Sequence, residues 1–384
     1  MNLAAVTARS EEIDTVVAAA DLLRQAAERL AGQVPVAAFL FASTEYEHQI
    51  LLDAIADRWP GLPLVGGSTD GEVSTHGFSH DSVLLTLLAG DGLRVRVGLG
   101  RDLSKDLDGA VAQASSACGE RPALCWTVFA PSTNSTSVVR QLQSRLGDRC
   151  PVVGGLTGDH RESSRMVEFC GREVLKDSLP VMYLEGDLKV GCGVGTGWVP
   201  IGEPAVVTRS HGHWVYEIAG RPALDVYRDF WGSTPATDSL GEYPLAVYPN
   251  GVDGGHHLRA VLDADPAAGS IRVAGEVLAG ALVRRTEVLP DGILSGSEES
   301  VDNAMAAYPG EEPLLAFVFS CAARKWVLGT KAEQEIAHLN AAFAKAGVRP
   351  LLAGGYWFGE IGPSRRGAPS EFHNESCVTV LIGR

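Results

Sequence analysis

A β-rich run, a stretch of helical periodicity and a short apolar run closing on two glycines follow one another three times along the chain. The opening runs are Val36 to Phe41, Leu124 to Phe129 and Leu314 to Phe319; the closing pairs are Gly66-Gly67, Gly154-Gly155 and Gly354-Gly355. Unbroken apolar runs predict strands covered on both faces. A recurrence of this kind points to one supersecondary unit used repeatedly. Glycine at the same point of each copy predicts backbone in a special conformation, or another group in close approach.

The remaining pattern predicts the elements around these copies. Ile13, Val16, Val17, Ala20, Leu23, Ala27 and Leu30 fall at helical spacing, so residues 10–30 read as a helix stopped by Gly32. Thr44 to Glu47 and Thr330 to Glu333 have the form of capping boxes and predict helix starts in the first and third copies, with a helix from near Ser135 in the second. Val83 to Leu88 and Leu93 to Leu99 read as a hairpin turning at Gly90-Asp91-Gly92, and Leu179 to Leu184 with Leu188 to Val194 as another turning at Gly186-Asp187. Gly191, Gly193, Gly195 and Gly197 alternate, leaving one strand face bare for close packing; the spacing is not that of a dinucleotide fingerprint.

Beyond Trp198 the pattern changes to shorter strands, with helices from Ala223 and Ser297, before the third copy and a last strand from Val378 to Ile382. The fold class expected is α+β with mixed α/β character. Repeated strand–helix–strand units form mixed sheets covered by helices, in two tightly packed domains. Residues 1–200 hold two copies, and residues 201–384 hold the third with inserted hairpins.

Composition narrows the function classes. Hydrophobic residues make up 45% and charged residues 21% of the 384, as in ordinary globular proteins. The 32 basic and 47 acidic residues leave a net charge of −15, and no basic run offsets it, which disfavours nucleic acid and anionic lipid as partners. No apolar stretch has the length of a membrane-spanning helix, and residues 1–10 lack a signal-peptide pattern, so no membrane insertion and a cytoplasmic location are expected. The seven cysteines are scattered without C-x-x-C spacing, which suits reduced thiols and predicts no structural zinc.

Several phrases, in order, resemble the FIST sensory family (F-box and intracellular signal transduction proteins). They are Val65 to Glu72, Trp198 to Gly202, Val215 to Ala223, Phe319 to Arg324, Gly354 to Pro363 and Phe372 to Ser376, and they span nearly the whole chain. The resemblance implies a bacterial sensory module rather than an enzyme. Such a module binds a small molecule, with amino acids often proposed, and signals to a partner such as a histidine kinase or a cyclic-nucleotide enzyme. This chain carries neither F-box nor output domain within its two family-like halves, so the partner is expected to be a separate polypeptide. A subset of the family resembles haem-based nitric-oxide sensors. No cofactor is otherwise expected, and sequence does not choose which of the ten histidines would hold iron.

The third copy supplies the candidate ligand site. Loops after Gly354 and Gly355 expose backbone N–H groups at strand ends, Tyr356, Trp357 and Phe358 supply apolar walls, and Glu360 a carboxylate able to receive an amino group. Arg324, just past the strand ending at Phe319, can hold a ligand carboxylate in a bidentate pair. Cys321, His373 and Asn374 complete the site, and they also keep a second reading open, a thiol-dependent hydrolase using Cys321 and His373.

Overall fold

The computed structural model describes residues 3–131, 134–160, 165–231 and 242–384. Its scaffold is three six-stranded sheets of identical strand logic. In the first, the order is Ala4–Ser10, Val83–Ala89, Pro35–Ala42, Leu64–Ser68, and then Glu168–Cys170 and Glu173–Leu175 from the second unit. The second runs Arg94–Arg101, Ser178–Glu185, Pro122–Phe129, Val152–Leu156, and then Glu360–Pro363 and Ser370–His373 from the third unit. The third runs Lys189–Gly195, Cys377–Gly383, Pro313–Cys321, Leu351–Trp357, and then Glu72–Ser74 and Gly77–Ser79 from the first unit. Each unit thus lends a short hairpin, here called its arm, to a neighbour, and the exchange closes into a ring.

Each sheet buries both faces. Outward, each is covered by two helices: Thr15–Leu30 and His48–Arg58, Leu107–Ser115 and Ser135–Leu146, and Pro290–Ala307 and Ala332–Lys345. Inward, the three sheets meet in one apolar centre of Phe39, Phe41, Trp126, Phe317, Phe319 and Trp357. Ring centroids there lie 5.0 Å apart for Phe39 and Trp126 and 4.8 Å for Phe39 and Phe317, the edge-to-face separation aromatic pairs prefer. This double burial is why the core strands read as unbroken apolar runs.

The diglycines sit where the arms cross. A Cβ on Gly66, Gly154 or Gly354 would fall inside the carbonyl of Leu40, Thr127 or Val318 on the paired core strand. A Cβ on Gly67, Gly155 or Gly355 would meet Thr157, Trp357 or Thr69, the residue two positions beyond the next unit's second glycine. Both glycines of each pair are therefore excluded-volume requirements, one within the unit and one between units.

The structure corrects several sequence expectations. Val83–Ala89 and Arg94–Arg101 do not pair with each other; they lie in the first and second sheets. Ser178–Glu185 and Lys189–Gly195 likewise divide between the second and third. The tight turns between them carry the chain from one sheet to the next. Residues 4–10 form a strand, and the first helix begins only at Thr15, capped by Asp14, whose carboxylate accepts from Val16 and Val17 N–H. Neither Thr44 nor Thr330 caps a helix by its side chain; those helices start at His48 and Ala332.

The alternating glycines do give close packing. A Cβ on Gly191, Gly193 or Gly195 would enter helix Pro290–Ala307 at Ala304, Ser300 and Gly296. Lys189–Gly195 is the opening strand of the third unit, so the whole segment 199–287 is an insertion between that strand and its helix. The insertion forms its own eight-stranded sheet around Val207, Val215, Leu224, Tyr227, Leu245, Ile271 and Val283. It docks through Arg259, whose Nη1 donates to the Phe372 carbonyl of the third arm at 3.2 Å. Among the described residues, no helix is long and apolar enough to cross a membrane.

Replacing Gly154 by alanine should cost about 3 kcal/mol or more in a denaturant titration, because the new methyl group must displace backbone. Alanine at Gly32, where a Cβ meets nothing within 4 Å but φ is +87°, should cost only about 1 kcal/mol.

Candidate functional site

Beyond each diglycine the strands cross by backbone hydrogen bonds that repeat around the ring. Gly158 N donates to Ser68 O at 3.0 Å, Phe358 N to Leu156 O at 2.9 Å, and Asp70 N to Tyr356 O at 2.9 Å. Asp70, Gly158 and Phe358 are thus equivalent, and they meet: a Cβ on Gly158 would lie 3.1 Å from Asp70 N and 3.4 Å from the Phe358 ring. The three equivalents differ in chemistry. One is a carboxylate, one leaves room, one is an apolar wall.

Asp70 gathers charge from the other two units. His160, from the second unit, places Nδ1 3.1 Å from Asp70 Oδ1, and Lys325, from the third, places Nζ 2.8 Å from Oδ2. Lys325 also reaches the Asp70 carbonyl, and the Trp326 indole donates to Oδ2 at 3.1 Å. The far side of the imidazole, Nε2, lies 3.1 Å from Asp81 Oδ1, with the Ser43 hydroxyl donating to the same oxygen at 3.0 Å. Burial opposes the charge on Asp70, but His160 and Lys325 outweigh it and hold the carboxyl below its usual range. Contact with Asp70 in turn raises the His160 pKa against the effect of burial. His160 takes φ +31°, an uncommon backbone for a residue with a side chain. Asp70 and Lys325 are buried, Trp326 and Phe358 face each other at 6.0 Å, and His160 reaches solvent.

A second motif repeats at the head of each arm. Glu72, Glu168 and Glu360 lie opposite Gly355, Gly67 and Gly155. All three are buried, and each is bound by a serine that starts or precedes the unit's last strand. Ser82 donates its N–H and hydroxyl to Glu72 Oε2 at 3.1 and 2.7 Å. The Ser178 hydroxyl donates to Glu168 at 3.1 Å, and Ser376 donates N–H and hydroxyl to Glu360 at 3.2 and 2.7 Å. Burial pushes these carboxyls up to about 8, 7 and 8 respectively.

The residues named from sequence divide between two places. Arg324 is fully buried and paired with Glu335 at 2.8 Å. Its Nε also reaches Ser320, Nη1 the Thr196 carbonyl, and Nη2 Ile293 O and the Ser297 hydroxyl, so every guanidinium nitrogen is bound within the protein. Burial opposes the Glu335 charge, and Arg324 outweighs it. The Tyr356 hydroxyl donates to the other Glu335 oxygen at 2.5 Å. Arg324 and Tyr356 are therefore a buried tie between strand and helices, not a carboxylate clamp. Gly354 and Gly355 serve strand crossing. Cys321, Glu360, His373 and Asn374 do come together, at the third arm.

Their environment does not suit nucleophilic chemistry. Burial pushes the Cys321 thiol well above its usual pKa, the reverse of what thiolate attack needs. Burial lowers His373 to about 4, and its Nε2 lies 2.8 Å from the Gly362 carbonyl. Haem does not fit the Asp70 cluster either. A proximal imidazole needs a free nitrogen for iron, and both nitrogens of His160 face carboxylates.

Sequence reading overlooked Asp70, His160 and Lys325. The signals were a charged residue where the other copies have Gly158 and Phe358, and a lysine directly after the arginine singled out. Glu72 and Glu168 were legible too, since each precedes its serine by the same ten residues.

Residues 36–221 match the FIST N domain and residues 223–363 the FIST C domain. The uncharacterized protein Rv0628c of Mycobacterium tuberculosis is 28% identical over 327 residues, covering 80% of this chain and 82% of that protein. The uncharacterized protein Mb0898c of Mycobacterium bovis is 29% identical over 223 residues, 55% of each. Among solved structures, cyanuric acid hydrolase from A. caulinodans aligns over 99% of both chains at 11% identity and a TM-score of 0.34. PurLQS from Thermotoga maritima aligns over all of this chain and 73% of its own, at 11% identity and a TM-score of 0.25. At such scores nothing about chemistry passes from those structures to this chain.

Two outcomes follow from the charges. Arg324→Ala should lower stability by about 3–5 kcal/mol in urea titration, since it strands the buried Glu335 carboxylate. The pKa values of Glu72, Glu168, Glu360 and His160 are raised in the folded state, so the stability they confer is complete below their unfolded values and is lost as pH rises through the folded ones. The melting temperature should therefore fall between about pH 6 and pH 8. Glu72→Gln, which keeps the shape of the protonated acid, should flatten that slope.

Proposed function

Because the chain belongs to the FIST family, we propose that it is a sensory protein whose small ligand binds at the convergence of the three units, around Asp70, His160 and Lys325. The observation that supports this location is that one charged cluster takes a residue from each unit and opens to solvent through His160. A ligand seated there touches all three units at once, so its affinity depends on how they are set against one another. Differential affinity for two such settings shifts their populations.

The chemistry of the cluster suits a small carboxylate-bearing metabolite, amino acids among them. Lys325 offers an ammonium to the carboxylate, Asp70 a carboxylate to an amino group, and Trp326 and Phe358 an apolar wall. Binding would exchange the internal Asp70–Lys325 pair for two ligand contacts, which makes the internal pair the competitor that sets affinity. The changed surface is read by a separate polypeptide, a histidine kinase or a cyclic-nucleotide enzyme.

A thermal-shift screen of amino acids and related carboxylates on the full chain tests this reading. A true ligand at 100 times its dissociation constant should stabilise by about 2.7 kcal/mol. His160→Gln and Lys325→Met should each weaken it at least tenfold. A ligand that stabilises both variants as well as the parent binds elsewhere, and the location is then wrong.

A further inference from the structure

The third arm holds acceptors that none of the described residues satisfies by a hydrogen bond. Glu375 is 1% exposed, and neither carboxylate oxygen has a hydrogen-bond partner among the described residues. Among the described residues the amide oxygen of the buried Asn374 is also unpartnered, and beyond Ser376 the Glu360 carboxyl meets only the Cys321 thiol. The groups are held together, because Ser376 binds the other oxygen of Glu360 through both N–H and hydroxyl. Buried polar atoms nearly always find partners, and leaving a carboxylate without one is costly.

The other units show what the position normally carries. The residue before the serine is Asp81 in the first unit and Asp177 in the second. Asp81 receives the Ser43 hydroxyl and faces the His160 imidazole at 3.1 Å. Asp177 receives both the N–H and the hydroxyl of Ser104 at 2.7 Å. In the third unit the carboxylate is a methylene longer, fully buried, and without such a donor. Burial, and after it the charge of Glu360, pushes the Glu375 carboxyl well above its usual range; Arg324 opposes this, but its nitrogens are engaged by Glu335 and its neighbours. Tyr227 of the insertion, which senses the Glu375 charge, gives its hydroxyl to Tyr243 O at 3.0 Å.

We propose that Glu360, Asn374 and Glu375 form a receptor for a primary ammonium group. Glu360 lies close enough for its charge to oppose that of Glu375, Asn374 adjoins Glu375 in the chain, and an alkylammonium offers three N–H donors. A divalent metal fits less well. Calcium takes six to eight oxygens, and among the described residues no trio of His, Cys, Asp or Glu is arranged to hold a metal ion. The receptor lies where the arm meets the insertion, the seam that Arg259 and Phe372 also cross. This receptor shares no residue with the Asp70 cluster and stands or falls separately from it.

Calorimetry and thermal shift on the full chain, with ethanolamine, putrescine and choline as chloride salts, test the proposal. Ethanolamine or putrescine should raise the melting temperature, and choline, whose nitrogen carries no N–H, should not. Glu375→Gln and Asn374→Leu should each weaken the amine response at least tenfold while leaving any response of the Asp70 cluster to carboxylates intact. The second variant decides the matter if the first does not fold. Equal responses to choline and ethanolamine, an amine response unchanged in both variants, a response to calcium or magnesium chloride but not to amines, or no response to any amine would each overturn it.

Discussion

The absence of six Cβ atoms governs this fold. Each diglycine lets an arm pass between its own core strand and the next unit, and the ring closes only if all three crossings are that tight. The aromatic centre, the outward helices and the buried glutamates all follow from sheets brought close enough to share one interior. Hydrophobic burial supplies the driving force, but the glycines determine that it is satisfied by exchange rather than by three independent sheets.

Once the ring is closed, its near-symmetry becomes a means of comparing positions. The scaffold repeats the strand crossing, the glutamate and its serine, whereas function-bearing positions are those where the copies disagree. Asp70 stands where Gly158 and Phe358 stand in the other copies, and Cys321 where Ser43 and Ala130 stand. Glu375 stands where Asp81 and Asp177 find donors. Charge at a point of convergence costs desolvation that the two neighbouring units must offset, as His160 and Lys325 do for Asp70. Glu375, with neither oxygen bound among the described residues, is left open to an external cation.

Much of the scaffold was legible in the chain, for a physical reason. Core strands buried on both faces, such as Leu314 to Phe319, carry few polar residues and so announce themselves, and the glycine pairs are demanded by contact. The exchange was not legible. A short turn such as Gly90-Asp91-Gly92 specifies that the chain reverses, not that the two strands share a sheet, and the arms have strands of only three or four residues. Residue 200 also falls inside the third unit, because an insertion of ordinary composition parts its first strand from its helix. At the site, Arg324 and Lys325 are neighbours on the helix Ala322–Leu328, and successive helical positions point about 100° apart. One turned inward to Glu335 and the other toward Asp70, a choice set by tertiary packing that no local pattern encodes.

The ring has a consequence for how the chain is made. The arm at Glu72 to Ser79 finds its partner strand only at Leu351–Trp357, and the first strand of the third unit pairs with the last strand of the chain. On the ribosome, the first unit therefore emerges with a hydrogen-bonding edge and apolar inner face that stay unmatched until the third unit has been made. A release of incomplete chains would free sticky fragments rather than smaller folded proteins. Until the third unit is complete, nascent copies are open to pairing with one another through that edge and face.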